Sequence, residues 1–202
     1  MNFAVVILAA GASQRMGRSK LLLRWRDTTA LGHIRKNWDS LGSLQTCVVH
    51  AASDATVSAE LDRLGHPAGN RISNSTPETG MFGSIQCAAR WKGWNPDATH
   101  WLVTLGDQPQ IRWETLRSLV QHAFVHSDNI CQPSFNNRPK HPVILPRDSF
   151  LELADSNATD LKTFLAERSH RIALMDSSDP GLDFDLDTPA DYQEALRRFT
   201  EI

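Results

Sequence analysis

The sequence predicts an α/β fold with a doubly wound, mostly parallel sheet, and two observations support this prediction. Residues 3–8 form a continuous apolar run rich in β-branched side chains, which is typical of a central parallel strand buried on both faces. Strand-like and helix-like segments then alternate as far as residue 126, the pattern of a sheet with helices on both sides.

Local patterns of apolar and capping residues give the individual elements. The predicted strands span residues 3–8, 46–50, 71–74, 101–105, 130–132, 143–145, 171–175 and 182–185. The predicted helices span residues 31–41, 54–64, 83–91, 113–126, 158–167 and 189–199. Ser53 or Asp54 is the expected cap of the second helix. A polar loop, residues 134–141, is expected to join two strands that extend the sheet over the site.

Length and composition indicate one globular domain spanning residues 1–202. A chain of 202 residues can bury one α/β core, and 41% hydrophobic with 22% charged residues is ordinary for a globular protein. A net charge of −2 gives no general attraction to nucleic acid or membrane, and no apolar stretch approaches the roughly 20 residues that span a bilayer. The three cysteines lack the spacing of a zinc site, so we expect free thiols in a cytoplasmic protein.

Charged residues are distributed unevenly along the chain. Residues 15–36 contain seven basic side chains and one acidic one, Asp27, whereas residues 176–191 contain six aspartates and no basic residue. This distribution suggests an anion site near one end of the chain and a cation site near the other. Two solvated surface faces are the alternative explanation.

The most informative segment is the loop after the first strand, residues 8–20. Gly11 and Gly17 let the backbone turn tightly and bring its N–H groups against phosphate oxygens, and Arg15 and Lys20 add positive charge. The loop lacks the GxxxxGK[ST] spacing of a Walker loop and a clean GxGxxG, which disfavours ordinary NTPase and dinucleotide sites. It therefore predicts a triphosphate site of another kind, with a flexible glycine turn beside surface bases as the alternative.

This loop resembles the L-A-A-G-x-S-x-R-M-G-x-x-K opening of the molybdenum cofactor cytidylyltransferase branch of the nucleotidyltransferases. Four further segments are similar to motifs of that family: residues 80–84 to G-M-x-x-S, 106–109 to the G-D-x-P metal motif, 141–142 to the G-H-P loop and 185–191 to D-x-D-T-P-x-D. The resemblance implies a three-layered, nucleotide-diphospho-sugar transferase-like fold. It also implies an Mg²⁺-dependent enzyme that moves CMP from CTP to molybdopterin in its molybdenum-loaded form.

The resemblance assigns roles to individual residues. Arg15, Lys20 and Asp107 are the expected catalytic residues. Ser84 is expected to begin a helix after a glycine-rich turn, where a plain N-cap is the competing role. Ala10 favours CTP over GTP, because guanylyltransferase relatives usually have glycine there and the added methyl narrows the base pocket. The residues expected to bind the nucleotide are Leu8, Ala9, Ala10, Gly11, Ser13, Arg15, Lys20, Ser84 and Asp107.

Two aspartates are the expected Mg²⁺ ligands. Asp107 follows an apolar strand, so its carboxylate would emerge at the ligand-binding edge of the sheet. Asp183, Asp185 and Asp187 alternate with apolar residues, so on a strand the three carboxylates would share one face and repel without a cation. The resemblance points to Asp187 as the second ligand, with Asp185 as its substitute. Asp185 and Asp191 taken singly could equally be turn residues or helix caps.

Lys140 and His141 are the expected acceptor-binding residues. The family commonly has glycine where this chain has Lys140, so the lysine adds positive charge where the acceptor is expected. A solvated loop lysine is the alternative. His141 can contact the acceptor or, as half of a His-Pro pair, simply shape a turn.

Two other functions agree with these motifs. One is a sugar- or polyol-phosphate nucleotidyltransferase, and the other is a nucleotide-binding maturation protein that delivers cofactor to a molybdoenzyme without turnover. The presence of Arg15, Lys20, Asp107 and Asp187 argues against the second. The expected partners are an NTP, a phosphorylated small-molecule acceptor and a molybdoenzyme, with neither nucleic acid nor membrane.

Overall fold

The computed structural model describes residues 1–11 and 19–200, which form ten strands and seven helices. The strands are β1 (Phe3–Ala9), β2 (Arg24–Trp25), β3 (Thr28–Thr29), β4 (Gln45–Ala51), β5 (Arg71–Asn74), β6 (His100–Leu105), β7 (Ile130–Phe135), β8 (Arg138–Pro139), β9 (Val143–Pro146) and β10 (Ile172–Asp176). The helices are α1 (Ala30–Ser40), α2 (Ala55–Arg63), α3 (Gly80–Arg90), α4 (Trp113–Val125), α5 (Arg147–Glu152), α6 (Leu161–Ala166) and α7 (Pro189–Phe199).

One large sheet has the strand order β10-β7-β9-β6-β1-β4-β5, with β8 paired to β7. Strands β1, β4, β5 and β6 are parallel neighbours, and so are β7 and β10. Strand β9 runs antiparallel to both β6 and β7, so it reverses the direction in the middle of the sheet. The predicted mostly parallel, doubly wound sheet is confirmed.

Helices cover both faces of this sheet and give it three layers. On one face α3, α5 and α6 bury side chains such as Ile85, Phe150 and Phe164 against the strands. On the other face α1, α2 and α4 bury side chains that include Trp38 and Leu119. Central strand β1 is buried along its whole length because both faces are covered, as its apolar sequence predicts.

A smaller cluster forms where the C-terminal helix meets the short hairpin of β2 and β3. Trp25 of β2 packs with Leu186, Tyr192 and Ala195, and the Tyr192 hydroxyl donates a 2.5 Å hydrogen bond to the carbonyl oxygen of Arg24. Residues near position 187 are thereby attached to the segment that follows the opening loop.

Most element boundaries are shifted from the sequence prediction by a few residues, and four of the differences have a clear local cause. Helix α2 is capped by Asp54, whose carboxylate accepts from two main-chain N–H groups at 3.0 Å. Helix α6 begins three residues later than predicted, because the Asp160 carboxylate caps it by accepting from the N–H of Thr163. The predicted loop at residues 134–141 instead contains the rest of β7, a tight turn and β8, which folds back onto β7.

The fourth difference concerns residues 182–185, which are not a strand. Pro180–Asp183 is a turn of 3-10 helix, and the chain then runs extended without pairing to another strand. The predicted alternation of burial nevertheless holds: Leu182 and Leu186 are buried, whereas Asp183 and Asp185 are exposed. Leu182 and Asp183 lie in the 3-10 turn, so this alternation of burial does not require a strand.

In the described part of the chain, no helix combines the length and the apolar character needed to cross a membrane.

Candidate active site

The site lies where the carboxyl ends of β1 and β6 meet. Leu8 and Leu105 are parallel partners, and the N–H of Gly106 donates to the carbonyl oxygen of Leu8 at 2.9 Å. A Cβ atom on Gly106 would lie 2.8 Å from that oxygen and 2.7 Å from the Leu21 side chain. Glycine is therefore required at 106, and it brings Asp107 beside the opening loop.

A cavity of about 940 Å³ opens at this edge of the sheet. Every predicted nucleotide-binding residue that the structure describes lines it: Leu8, Ala9, Ala10, Gly11, Lys20, Ser84 and Asp107. Other lining residues come from the start of α2, from the turn before α3 and from the first turn of α3, and they include Ser53, Thr56, Pro77 and Met81. The predicted Ser13 and Arg15 lie outside the described residues.

Lys20 joins two carboxylates that come from distant parts of the chain. It begins the 3-10 turn Lys20–Leu22, which buries Leu21 in the core. Its ammonium nitrogen donates to Oδ1 of Asp187 at 2.7 Å and lies 3.8 Å from Oδ2 of Asp107. The positively charged ammonium of Lys20 therefore lies beside both predicted metal ligands, Asp107 and Asp187.

The environment of Asp107 opposes its ionisation. Burial raises the pKa of this carboxyl, the Lys20 ammonium acts in the opposite direction, and the nearby carboxylates of Asp185 and Asp187 raise the pKa further. These interactions place all three aspartates in one electrostatic neighbourhood. A cation would relieve the repulsion among them.

We call residues 179–191 the acid segment. The aspartates of this segment have different partners. Asp183 pairs with the ammonium of Lys140, and Asp187 pairs with Lys20. Asp191 forms a capping box with Thr188 at the start of α7, which confirms the helix-cap alternative for this residue. The first aspartate, Asp179, is buried and interacts with the loop after β6.

Ser84 lies in the cavity wall, but it does not begin α3. The helix starts at Gly80, so Ser84 lies more than one turn inside, and neither the predicted helix start nor the N-cap alternative applies. Its hydroxyl donates to the carbonyl oxygen of Gly80 at 3.3 Å and accepts from the amide of Asn74 at 3.1 Å. Asn74 is 2% exposed and was not recognised from the sequence, where it only ends a short strand.

Neither Lys140 nor His141 lines the cavity. The Lys140 side chain is mostly buried in its ion pair with Asp183, so the alternative of a freely solvated lysine is wrong. Burial lowers the pKa of His141, which keeps its imidazole neutral near pH 7. The buried Nδ1 of His141 has no hydrogen-bond partner among the described residues.

The carboxylates suit a hard divalent cation better than a transition metal bound by nitrogen or sulfur. Across residues 1–11 and 19–200, no three His, Cys, Asp or Glu side chains group closely enough to hold a metal ion by themselves. Mg²⁺ commonly takes one or two protein carboxylates and completes its coordination with water and substrate phosphates. Asp107 and Asp187, with the Lys20 ammonium against both, fit that donor set.

Comparison with known proteins agrees with this geometry. The family model described as "MobA-like NTP transferase domain" matches residues 5–172. The molybdenum cofactor cytidylyltransferase of Escherichia coli (strain K12) is 26% identical over 200 residues, which cover 98% of this chain and 97% of the relative. Among solved structures, Rv0371c from Mycobacterium tuberculosis H37Rv superposes with a TM-score of 0.70 at 28% identity, covering 98% of each chain. A structure of Rv0371c in complex with manganese has a TM-score of 0.66 at 25% identity, covering 98% of this chain and 100% of that one.

Proposed function

Because this chain belongs to the MobA-like NTP transferase family, we propose that it transfers CMP from CTP to molybdopterin in its molybdenum-loaded form and releases pyrophosphate. One observation carries the proposal: Lys20 and Asp107 line a cavity together with Leu8 to Gly11, and Lys20 also pairs with Asp187. This arrangement places one positive and two negative groups where a triphosphate and a divalent cation would be bound together. The whole of residues 1–202 would act as one domain.

The reaction is a displacement at the α-phosphorus of the nucleotide. An oxygen of the acceptor's terminal phosphate forms a bond to that phosphorus, and the bond from the phosphorus to the oxygen bridging to the β-phosphate breaks. The electron pair leaves with pyrophosphate, and the product contains a new phosphoanhydride. A phosphate monoester is largely dianionic near neutral pH, so the acceptor needs no general base.

Catalysis then depends on positioning and on charge neutralisation. Lys20 and Arg15 are assigned to the β- and γ-phosphates, where they stabilise the charge that develops on the leaving group. Mg²⁺ held by Asp107 and Asp187 would supply charge neutralisation at the α-phosphate. The structure of Rv0371c in complex with manganese supports the use of a divalent cation.

CTP is the proposed donor, and Ala10 is the residue proposed to select it. Ala10 lines the cavity beside Gly11, so its methyl group reduces the space available to a base. A pyrimidine fits a narrowed pocket better than a purine does. The E. coli relative, which is named a cytidylyltransferase, supports this choice.

The acceptor is proposed to bind near Lys140 and His141. Lys140 would contact the acceptor phosphate by exchanging it for Asp183, and His141 has the unpartnered Nδ1. The product would be delivered to a molybdoenzyme. We place the protein in the cytoplasm, because Cys47, Cys87 and Cys131 are all free thiols, as expected in a reducing compartment.

Pyrophosphate release from a matrix of nucleotides and acceptors tests the proposal. The purified protein is incubated with Mg²⁺ and each of CTP, GTP, ATP and UTP, against molybdenum-loaded molybdopterin and a panel of sugar and polyol phosphates. We expect the fastest release from CTP with the molybdenum-loaded acceptor. Faster release with a sugar or polyol phosphate would reassign the acceptor, and nucleotide binding without release from any pair would favour a non-catalytic maturation protein.

A further inference from the structure

We infer that Gln110 is a positioning residue, which holds the acid segment so that Asp187 lies beside Asp107. This inference rests on the proposed function, because it concerns the second carboxylate of the proposed metal site. Gln110 does not line the cavity, and its two side-chain hydrogen bonds within the described part of the chain go to main-chain carbonyl oxygens. Its effect would therefore pass through the main chain of the acid segment.

The Gln110 side chain is buried and donates two hydrogen bonds to main-chain carbonyl oxygens of the acid segment. Its Nε2 atom lies 2.7 Å from the oxygen of Phe184 and 3.1 Å from the oxygen of Gly181. Only 2% of the residue is exposed, so water cannot replace these bonds. Its Oε1 atom is also buried, and it has no hydrogen-bond partner among the described residues.

The acid segment needs such contacts because it has no regular structure around Asp187. The described chain between the 3-10 turn Pro180–Asp183 and α7 pairs with no strand. An unpaired segment must satisfy its buried carbonyl groups with side chains or water. Gln110 donates to the carbonyl oxygens of Gly181 and Phe184. Phe184 lies three residues before Asp187.

Asp179 is the second anchor, at the other end of the 3-10 turn. Its carboxylate accepts from the N–H of Arg112 at 2.9 Å, from the hydroxyl of Thr115 at 2.8 Å and from the N–H of Gly181 at 2.9 Å. The residue is 3% exposed. Residues 110–115 therefore form hydrogen bonds with the acid segment at two places, through the side chain of Gln110 and through the carboxylate of Asp179.

The two segments also touch at the level of the main chain. A Cβ atom on Gly181 would lie 2.5 Å from the carbonyl oxygen of Gln110 and 3.0 Å from Oδ1 of Asp179. Gly181 is therefore required for the close approach. Asp107 and Gln110 belong to one short loop, so a single loop supplies one carboxylate and fixes the segment that carries the other.

The test compares Gln110→Met with Gln86→Met. Methionine has a similar length and flexibility but no N–H donor, so Gln110→Met leaves the carbonyls of Gly181 and Phe184 without a donor. Gln86 is a matched control, because its Nε2 also donates to two main-chain carbonyls, those of Leu153 at 3.2 Å and Ser156 at 2.9 Å, away from the acid segment.

Mn²⁺ binding is titrated in the presence of saturating CTP, with free Mn²⁺ followed by electron paramagnetic resonance. We expect Gln110→Met to weaken Mn²⁺ binding about 10-fold to 100-fold, the range typical when a group that orients a metal ligand is lost. Gln86→Met should bind Mn²⁺ like the parent. In transfer assays, Gln110→Met should need more metal for half-maximal rate and recover much of its kcat at saturating metal, which a general loss of structure would not allow.

Equal Mn²⁺ affinity in Gln110→Met and the parent would overturn the inference, and so would an equal weakening in Gln86→Met. Circular dichroism and thermal melting verify that each variant is folded. If Gln110→Met does not fold, Gln110→Asn replaces it, since its shorter amide cannot keep both bonds, and the same two comparisons apply.

Asp107→Asn separates this inference from the proposed function. If the parent binds Mn²⁺ with CTP and Asp107→Asn does not, the metal site stands, and the Gln110 result is then decided by itself. If Asp107→Asn binds Mn²⁺ like the parent, the proposed metal site is wrong regardless of Gln110.

Discussion

Asp107 and Asp187 face the same lysine, but the chain positions them by different means. Asp107 follows β6, and main-chain hydrogen bonds to β1 and β9 fix the direction of that strand. Asp187 lies in an unpaired segment that depends on side chains, namely Gln110, Asp179 and the Lys140 pair with Asp183. One carboxylate is therefore placed by the sheet, and the other by individual side-chain contacts.

The difference determines how each carboxylate should respond to substitutions around it. A strand end tolerates change in its neighbours because the ladder of hydrogen bonds fixes its position. An unpaired segment moves when one contact is lost, so its position can be adjusted by single substitutions. Lys140, which stands where the motif that this chain resembles commonly has glycine, pairs with Asp183 of the acid segment.

The largest expected effect comes from replacing the two aspartates separately. Asp107→Asn should lower kcat about 10³-fold, because it removes several kcal/mol of charge stabilisation that no neighbouring strand end can replace. Asp187→Asn should lower kcat less, about 10²-fold. Asp185 also interacts with Asp107, so it can take over part of the role of Asp187. Steady-state rates at saturating CTP and Mg²⁺ measure both. A larger loss in Asp187→Asn than in Asp107→Asn would reverse the comparison.

Lys20 is the contact between the two regions, and its removal should have the next largest effect. Lys20→Ala should lower kcat/KM for the nucleotide about 10²-fold, the usual cost of losing one group that stabilises developing charge. Lys36→Ala is the matched control, because Lys36 also pairs with an aspartate, Asp27 at 3.3 Å, but is exposed and distant from the cavity. If the two variants had the same kcat/KM, Lys20 would have no role in phosphate binding.

A substitution of Ala10, which directly follows β1, tests the part of the site that the sheet positions. Ala10→Gly removes one methyl group from the cavity wall, so the ratio of kcat/KM for GTP to that for CTP should rise about 10-fold, near the lower end of what one methyl group contributes to selectivity. The ratio is measured with one acceptor and both nucleotides. An unchanged ratio, with both activities intact, would place nucleotide selection elsewhere in the site.

The smallest expected effect is on stability. Because burial and the neighbouring carboxylates raise the pKa of Asp107, its ionised form destabilises the folded apo protein at neutral pH. This destabilisation is absent at pH values below the ordinary aspartate pKa of about 3.9, and it is complete at pH values above the raised pKa of Asp107. In EDTA, Asp107→Asn should therefore raise Tm by at most a few degrees at pH 7, and the gain should vanish as the pH falls towards 4.

Asp97→Asn is the control for this measurement, because it removes the same charge from an exposed position. It should leave Tm almost unchanged across the same range of pH. A lower Tm for Asp107→Asn at pH 7 would show that the contact with Lys20 outweighs the repulsion and burial.

The sequence predicted the sheet-positioned region well. Apolar runs mark β1 and β6, and parallel neighbours bring their carboxyl ends together, so the positions of Gly11 and Asp107 follow from the pattern. The family resemblance added Leu8 to Ala10. Residues 71–74 were predicted with their observed boundaries. Where hydrogen-bond ladders determine the structure, periodicity carries enough information.

The acid segment was predicted less well, because period-two alternation does not distinguish a paired strand from an extended chain held by side chains. Gln110 was missed for a related reason. Its partners lie 71 and 74 residues away, and its neighbours in sequence, Pro109 and Ile111, give it no distinguishing pattern. Only the three-dimensional contacts show that it differs from an ordinary surface glutamine.

The predicted helix start at Gly83 is three residues too late, because the residues before Ser84 were interpreted as a glycine-rich turn. In the structure, a Cβ atom at Gly83 would lie 1.8 Å from Oγ1 of Thr79, so glycine is needed there for close packing inside α3. The residue that requires unusual backbone freedom is Gly80, with a φ of +78° at the start of the helix. Two glycines three residues apart thus have different roles that the sequence alone does not separate.

A crystal structure with CTP and Mn²⁺ tests the central claim most directly, because anomalous scattering locates the ion without reference to the surrounding density. We expect the triphosphate in the cavity beside Lys20, and one ion bound by both Asp107 and Asp187, at roughly 2.1 Å directly or somewhat farther through a water molecule. A nucleotide bound elsewhere, or an ion that neither carboxylate reaches, would contradict the account.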